Sequence, residues 1–140
     1  MFPVCRSLSR PYAATRYRAE VAGRWLVLHP GRHEPMADAA LARYGARGAA
    51  FVTACNPLGR RAPRPVNRRA LARLIAWLRG RGLAFAEGDG KGDDGAWPAE
   101  PSLLVFGLRR TMAAALGRRL RQNAVVFIRR GRPAELLALR

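Results

Sequence analysis

In the stretch Trp97-Pro98-Ala99-Glu100-Pro101-Ser102 an acid stands between two prolines and close to an aromatic ring. Proline fixes its own φ and restricts the residue before it, so the Glu100 backbone has little freedom. A rigidly held carboxylate suits a general base or a ligand contact. Three more polar groups border apolar runs of strand length. They are Thr15-Arg16-Tyr17, the segment Thr53-Ala54-Cys55-Asn56-Pro57-Leu58-Gly59 with Asn67 downstream, and Gln122-Asn123. Ligands tend to sit at strand ends in sheets that carry packed helices. Glu100 is therefore the candidate catalytic residue, and Thr53, Asn56, Asn67, Ser102, Gln122 and Asn123 are candidate ligand-binding residues. Each also has a structural use. Asn56 before Pro57 suits a turn, Asn67 suits a helix N-cap, and Asn123 suits the close of a helix. Glu100 has many arginines to pair with, and buried polar groups need partners whether or not they catalyse anything.

Other motifs fail on their surroundings. Gly90-Lys91-Gly92-Asp93-Asp94-Gly95 matches G-x-G-x-x-G. A dinucleotide loop must open a helix whose N-terminus holds the pyrophosphate, and Pro98 and Pro101 forbid that helix. Asp89, Asp93 and Glu100 graze a calcium-loop pattern, but Lys91 puts a cation where a ligand belongs and Asp94 replaces the required glycine. His29 and His33 have the zinc spacing of a helix, yet Pro30-Gly31 separates them and no third ligand follows. Neither a metal nor a cofactor is expected. Cys55 ends an apolar run and reads as a small hydrophobe rather than a nucleophile.

The elements that must position these groups follow from periodicity. Residues 15–29 alternate and turn at Ala22-Gly23, a hairpin. Residues 36–44 predict a short helix closed by Gly45. Residues 49–55 predict a strand buried on both faces. After a loop at 56–66, Leu71, Leu74, Ile75 and Leu78 lie on one stripe of a helix that begins at Asn67 and ends near Arg79. A short strand at 83–87 is followed by a flexible Gly/Asp-rich loop at 88–96. A strand at 102–108, a helix at 109–121 with Met112, Leu116 and Leu120 on one face, a strand at 124–128 and a last strand at 136–139 complete the order ββαβαββαββ. This predicts one compact α+β domain over residues 15–140, a mixed sheet of about five to seven strands with about three helices packed on it, behind an irregular segment 1–14.

The chain has 140 residues, ordinary for one domain. Its net charge of +17 points to nucleic acid or an anionic surface. Lys91 is the sole lysine, an arginine bias of the kind a GC-rich genome produces, which favours solvated arginine faces. Two cysteines without a C-x-x-C pair fit a reducing compartment, and residues 1–10 lack the apolar core of a secretory signal. A cytoplasmic location without membrane contact is expected.

TACNPLG at 53–59, Asn67, WPAEPSLLVFGL at 97–108, RQNAVVF at 121–127 and the early T-x-Y at 15–17 together resemble a bacterial family of uncharacterised proteins, domain of unknown function 3293. The resemblance spans about residues 12–138. It implies a compact bacterial protein with no assigned activity, and it implies that Thr53, Asn56, Gly59, Glu100, Ser102, Gln122 and Asn123 form one site or one structural network. Cys55 stands where relatives are expected to carry an aromatic, which argues against a catalytic thiol.

Three functions are consistent with these residues. One is a domain binding a small anionic or nucleotide-like ligand at its strand ends, with or without catalysis by Glu100. The second is a basic protein that associates with nucleic acid through its arginine-rich surface. The third is a structural or interaction module without catalytic activity. The residues alone leave the three open.

Overall fold

A computed structural model describes residues 15–91 and 99–140. Alternation in β1 (Arg16–Val21) buries Tyr17, Ala19 and Val21 and exposes the residues between them. The chain turns through Ala22 (φ 53°) and Gly23 (φ 76°) into β2 (Arg24–Leu28). Two successive positive φ angles give the hairpin turn whose twist matches that of the strands. Helix α1 (Pro35–Arg43) opens with Pro35 in its first turn and with the Glu34 carboxylate accepting from the Met36 N–H at 3.2 Å. Every residue of β3 (Gly48–Val52) is buried, as a continuous apolar run requires. Then come α2 (Arg64–Gly80), β4 (Phe85–Lys91), β5 (Glu100–Phe106), α3 (Arg110–Arg119), β6 (Ala124–Arg129) and β7 (Glu135–Ala138).

The seven strands form one sheet in the order β2-β1-β4-β5-β3-β6-β7. The mixed sheet expected from helices between strands is corrected here: among the described residues every pairing is antiparallel. The helices do connect strands of like direction. β3–α2–β4 skips over β5, and β5–α3–β6 skips over β3, so two parallel crossovers interlock and like-directed strands never become neighbours. This is the split β-α-β, or ferredoxin-like, βαββαβ arrangement, extended by the β1–β2 hairpin, α1 and β7.

Alternation along the strands creates two cores. Ala49, Phe51, Leu104, Val126 and Ile128 face α1, which contributes Ala37, Ala40 and Leu41. Ala50, Val52, Leu103, Val105 and Val125 face α2 and α3, which contribute Leu74, Leu78, Ala113 and Leu116. The result is one α+β domain with helices on both sheet faces.

Several expectations are revised. β4 continues to Lys91, so residues 88–91 are strand rather than loop; 92–96, with most of the glycine motif and the calcium-loop pattern, lie outside the described residues, as do 1–14. Helix α2 begins at Arg64 with Pro65 in its first turn, so Asn67 lies inside the helix and is not its cap. Helix α3 closes at Arg121 (φ 57°), not at Asn123, with the Gln122 N–H donating to the Gly117 carbonyl at 3.0 Å. On α3 the buried positions are Ala113, Leu116 and Gly117, while Met112 is exposed. β3 stops at Val52, so Thr53 lies just past the strand instead of within it. His33 Nε2 sits 2.6 Å from Asp38 Oδ2 on α1.

Candidate functional site

The antiparallel register brings one end of six strands to a single sheet edge. The end of β3 lies beside the starts of β5 and β6, because β3 runs opposite to both. Gly90 at the end of β4 faces Glu100 at the start of β5 and also faces Tyr17 of β1. The last residues of β7 come alongside the start of β6, where Ala124 faces Ala138. Segment 53–59 crosses this edge, and the first turn of α2 stands above it.

Asn56 is the centre. Its backbone is left-handed (φ 49°, ψ 58°), a conformation that asparagine tolerates better than most residues. Its Oδ1 accepts from the Asn67 Nδ2 and from the Ala62 N–H, both at 2.9 Å. Its own N–H donates to Asn67 Oδ1 at 2.9 Å, so the two asparagines bind each other reciprocally. Its Nδ2 donates to Glu100 Oε1 at 2.7 Å. Asn67 also donates to the Ala62 carbonyl at 3.4 Å. An early start of α2 is what puts Asn67 within reach.

The other candidates surround this triad through the backbone. Thr53 Oγ1 donates to the Pro101 carbonyl at 2.8 Å and accepts from the Cys55 N–H at 3.0 Å. Ser102 Oγ donates to the Glu100 carbonyl at 2.9 Å. Buried Gln122 donates through Nε2 to the Cys55 carbonyl at 3.0 Å. Asn123 borders the turn at Gly59, where an added Cβ would meet Asn123 Nδ2 at 3.1 Å. The structure thus gathers all seven candidates at one edge. Asn56, Asn67 and Glu100 bond directly, Thr53, Ser102 and Gln122 bind main chain around them, and Asn123 lies at the margin.

Sequence reading missed Gly90. It leaves β4 without a side chain opposite Glu100, where an added Cβ would meet Tyr17 Cδ1 at 3.6 Å and Phe51 Cε1 at 3.8 Å. The available signal was the period-two spacing of Gly88 and Gly90 between Phe85-Ala86 and Lys91, which a strand can carry. Cys55 is buried, and burial pushes its thiol up; a hydrogen bond with Thr53 pulls it back and the Glu100 charge raises it further. A thiol so placed is not a nucleophile at neutral pH.

Burial likewise pushes the Glu100 carboxyl above its ordinary value, with the Asn56 amide pulling it down. A carboxyl raised in the folded state binds protons more readily there than in the unfolded chain. Its contribution to stability is complete below the ordinary carboxylate range and is lost as pH rises through the elevated value. Thermal unfolding between about pH 4 and pH 8 should therefore show a falling component that Glu100→Gln removes. Parallel curves for the two proteins would contradict the buried carboxyl.

A single α+β domain with interlocked crossovers and a polar cluster at one sheet edge is the class these features define. The chain belongs to the family described as "Protein of unknown function (DUF3293)", whose model matches residues 52–125. That match encloses Thr53, Asn56, Asn67, Glu100, Ser102, Gln122 and Asn123. None of the curated proteins and none of the solved structures compared with the chain matches it. No described helix is long and apolar enough to cross a membrane.

Proposed function

We propose that the edge built on Asn56, Asn67 and Glu100 binds a small anionic or nucleotide-like ligand, with Glu100 as the acceptor or base. The observation that carries this reading is the half-buried Glu100 carboxyl, held by one amide across from a glycine, with Arg60, Arg64 and Arg121 close in sequence to the segments that carry the cluster. An acceptor on segments flanked by arginines suits a molecule that carries both hydrogen-bond donors and a negative group, as a nucleotide does. Thr53, Ser102, Gln122 and Asn123 then hold the segments that form the walls. The cytoplasm of a bacterium is the proposed location.

The test is thermal unfolding against nucleotides, sugar phosphates and inorganic phosphate. A ligand at about 100 times its Kd adds about 2.7 kcal/mol, which moves the midpoint by several degrees. One compound class should act, and Glu100→Gln, which preserves the acceptor for Asn56, should lose the response. A flat panel, or a variant that responds as the wild type does, would leave the cluster as scaffold.

A further inference from the structure

The acids of this protein are segregated, and the segregation leaves one layer cationic. No Asp or Glu occurs between Asp38 and Glu87 or between Glu100 and Glu135. Both α2 and α3 lie in these acid-free stretches, and they pack side by side on the same sheet face. Arg119 of α3 reaches over the Trp77 ring of α2 at 5.5 Å, with Arg81 over the same ring at 4.9 Å. Arg69 and Arg73 occupy the outermost line of α2, exposed and without an ion pair among the described residues. Of the ion pairs among described residues, two lie elsewhere, Arg18 with Asp89 on the hairpin side and His33 with Asp38 on α1, and the third, Arg110 with Glu135, is confined to the first residue of α3. A bias towards arginine over lysine would set the type of cation, but it would not remove acids from one layer and keep them on another.

We infer that the outer surface of the α2–α3 layer is an interface for the phosphate backbone of double-stranded DNA. Charge complementarity selects a polyanion. Trp77 is the sole aromatic on the two helices and already lies under two guanidinium groups, so the surface offers no free ring for the base stacking that single-strand binding uses. A helix about 25 Å long with a ridge of arginine fits the major groove of B-form DNA, about 12 Å wide, whereas the major groove of duplex RNA is too narrow to admit it. Contacts of this kind position without reading sequence.

The experiment is fluorescence anisotropy with a labelled DNA duplex across a salt series. With about six phosphate contacts, affinity should fall about a thousandfold between about 50 and 200 mM salt. The R69Q/R73Q protein should show a salt slope shallower by about 1.8, at ~0.9 per contact. R69K/R73K should restore it, and R16Q/R24Q on the β1–β2 hairpin, which removes the same charge, should leave it unchanged. Both pairs of positions are exposed, so the fold is unaffected and circular dichroism checks this. Absent binding at low salt overturns the inference. So does equal weakening by R16Q/R24Q, or tighter binding of single strands, duplex RNA or phosphatidylserine vesicles. Glu100→Gln should bind the duplex normally, which separates this interface from the ligand site.

Discussion

Gly88→Ala should unfold much of the sheet edge that positions Glu100. A Cβ at Gly88 would stand 1.9 Å from the Arg18 carbonyl oxygen and 2.8 Å from the Ala19 Cα. Both are backbone atoms of β1, so no rotamer relieves the overlap, and β1 must separate from β4. That separation breaks the pairings of Arg16 with Lys91, Tyr17 with Gly90 and Arg18 with Asp89. It also parts the bidentate contact in which Arg18 Nε lies 2.8 Å from Asp89 Oδ1. The expected cost is on the order of 4 kcal/mol, the upper end for a single substitution, equivalent to a fall in Tm of more than about 10 °C. Gly90→Ala, whose Cβ would meet only ordinary contacts, should cost far less. Calorimetry of the two variants checks both, and equal midpoints would refute the close approach of β1 and β4.

That same glycine explains where the sequence misleads. β1 announces itself by alternation, and β3, β5 and β6 by unbroken apolar runs, because local pattern and burial agree there. Gly88-Asp89-Gly90-Lys91 reads as loop by every local rule, yet it is strand because neighbours on both sides pair with it. Pro63 and Pro65 suggest a loop, though proline suits a helix's first turn, and α2 therefore begins three residues before Asn67. Strand direction depends on which strand each crossover skips, and no local pattern records that. The candidate polar residues were visible by type and place. Their bonding was not, since Asn56 meets Asn67 and Glu100 across separations of 11 and 44 residues.

Asn56→Ala should be the most damaging change within the cluster itself. Three partners lose their bonds at once: the Ala62 N–H, the Asn67 amide and Glu100 Oε1. Alanine must also hold φ 49°, which costs about 1 kcal/mol. Each partly buried group left without a partner adds about 1 kcal/mol, for a total of about 3–4 kcal/mol. Asn56→Gly relieves only the backbone strain, so it should recover about 1 kcal/mol and no more. Asn67→Ala combined with Asn56→Ala should cost less than the sum of the two, because the bond from Asn67 Nδ2 to Asn56 Oδ1 is already broken by either change. Loss of the Asn56 amide removes the group that pulls Glu100 down, so the falling limb of stability should extend to higher pH in Asn56→Gly. Asn56→Asp keeps the acceptor for Ala62 and Asn67 but sets a second carboxyl against Glu100. Its stability should approach that of the wild type in acid, where the pair shares a proton, and fall more steeply as pH rises. Urea unfolding across that pH range measures all of these. Additive costs for Asn56→Ala and Asn67→Ala, with an unchanged pH profile, would mean that the two asparagines and Glu100 act separately and form no common site.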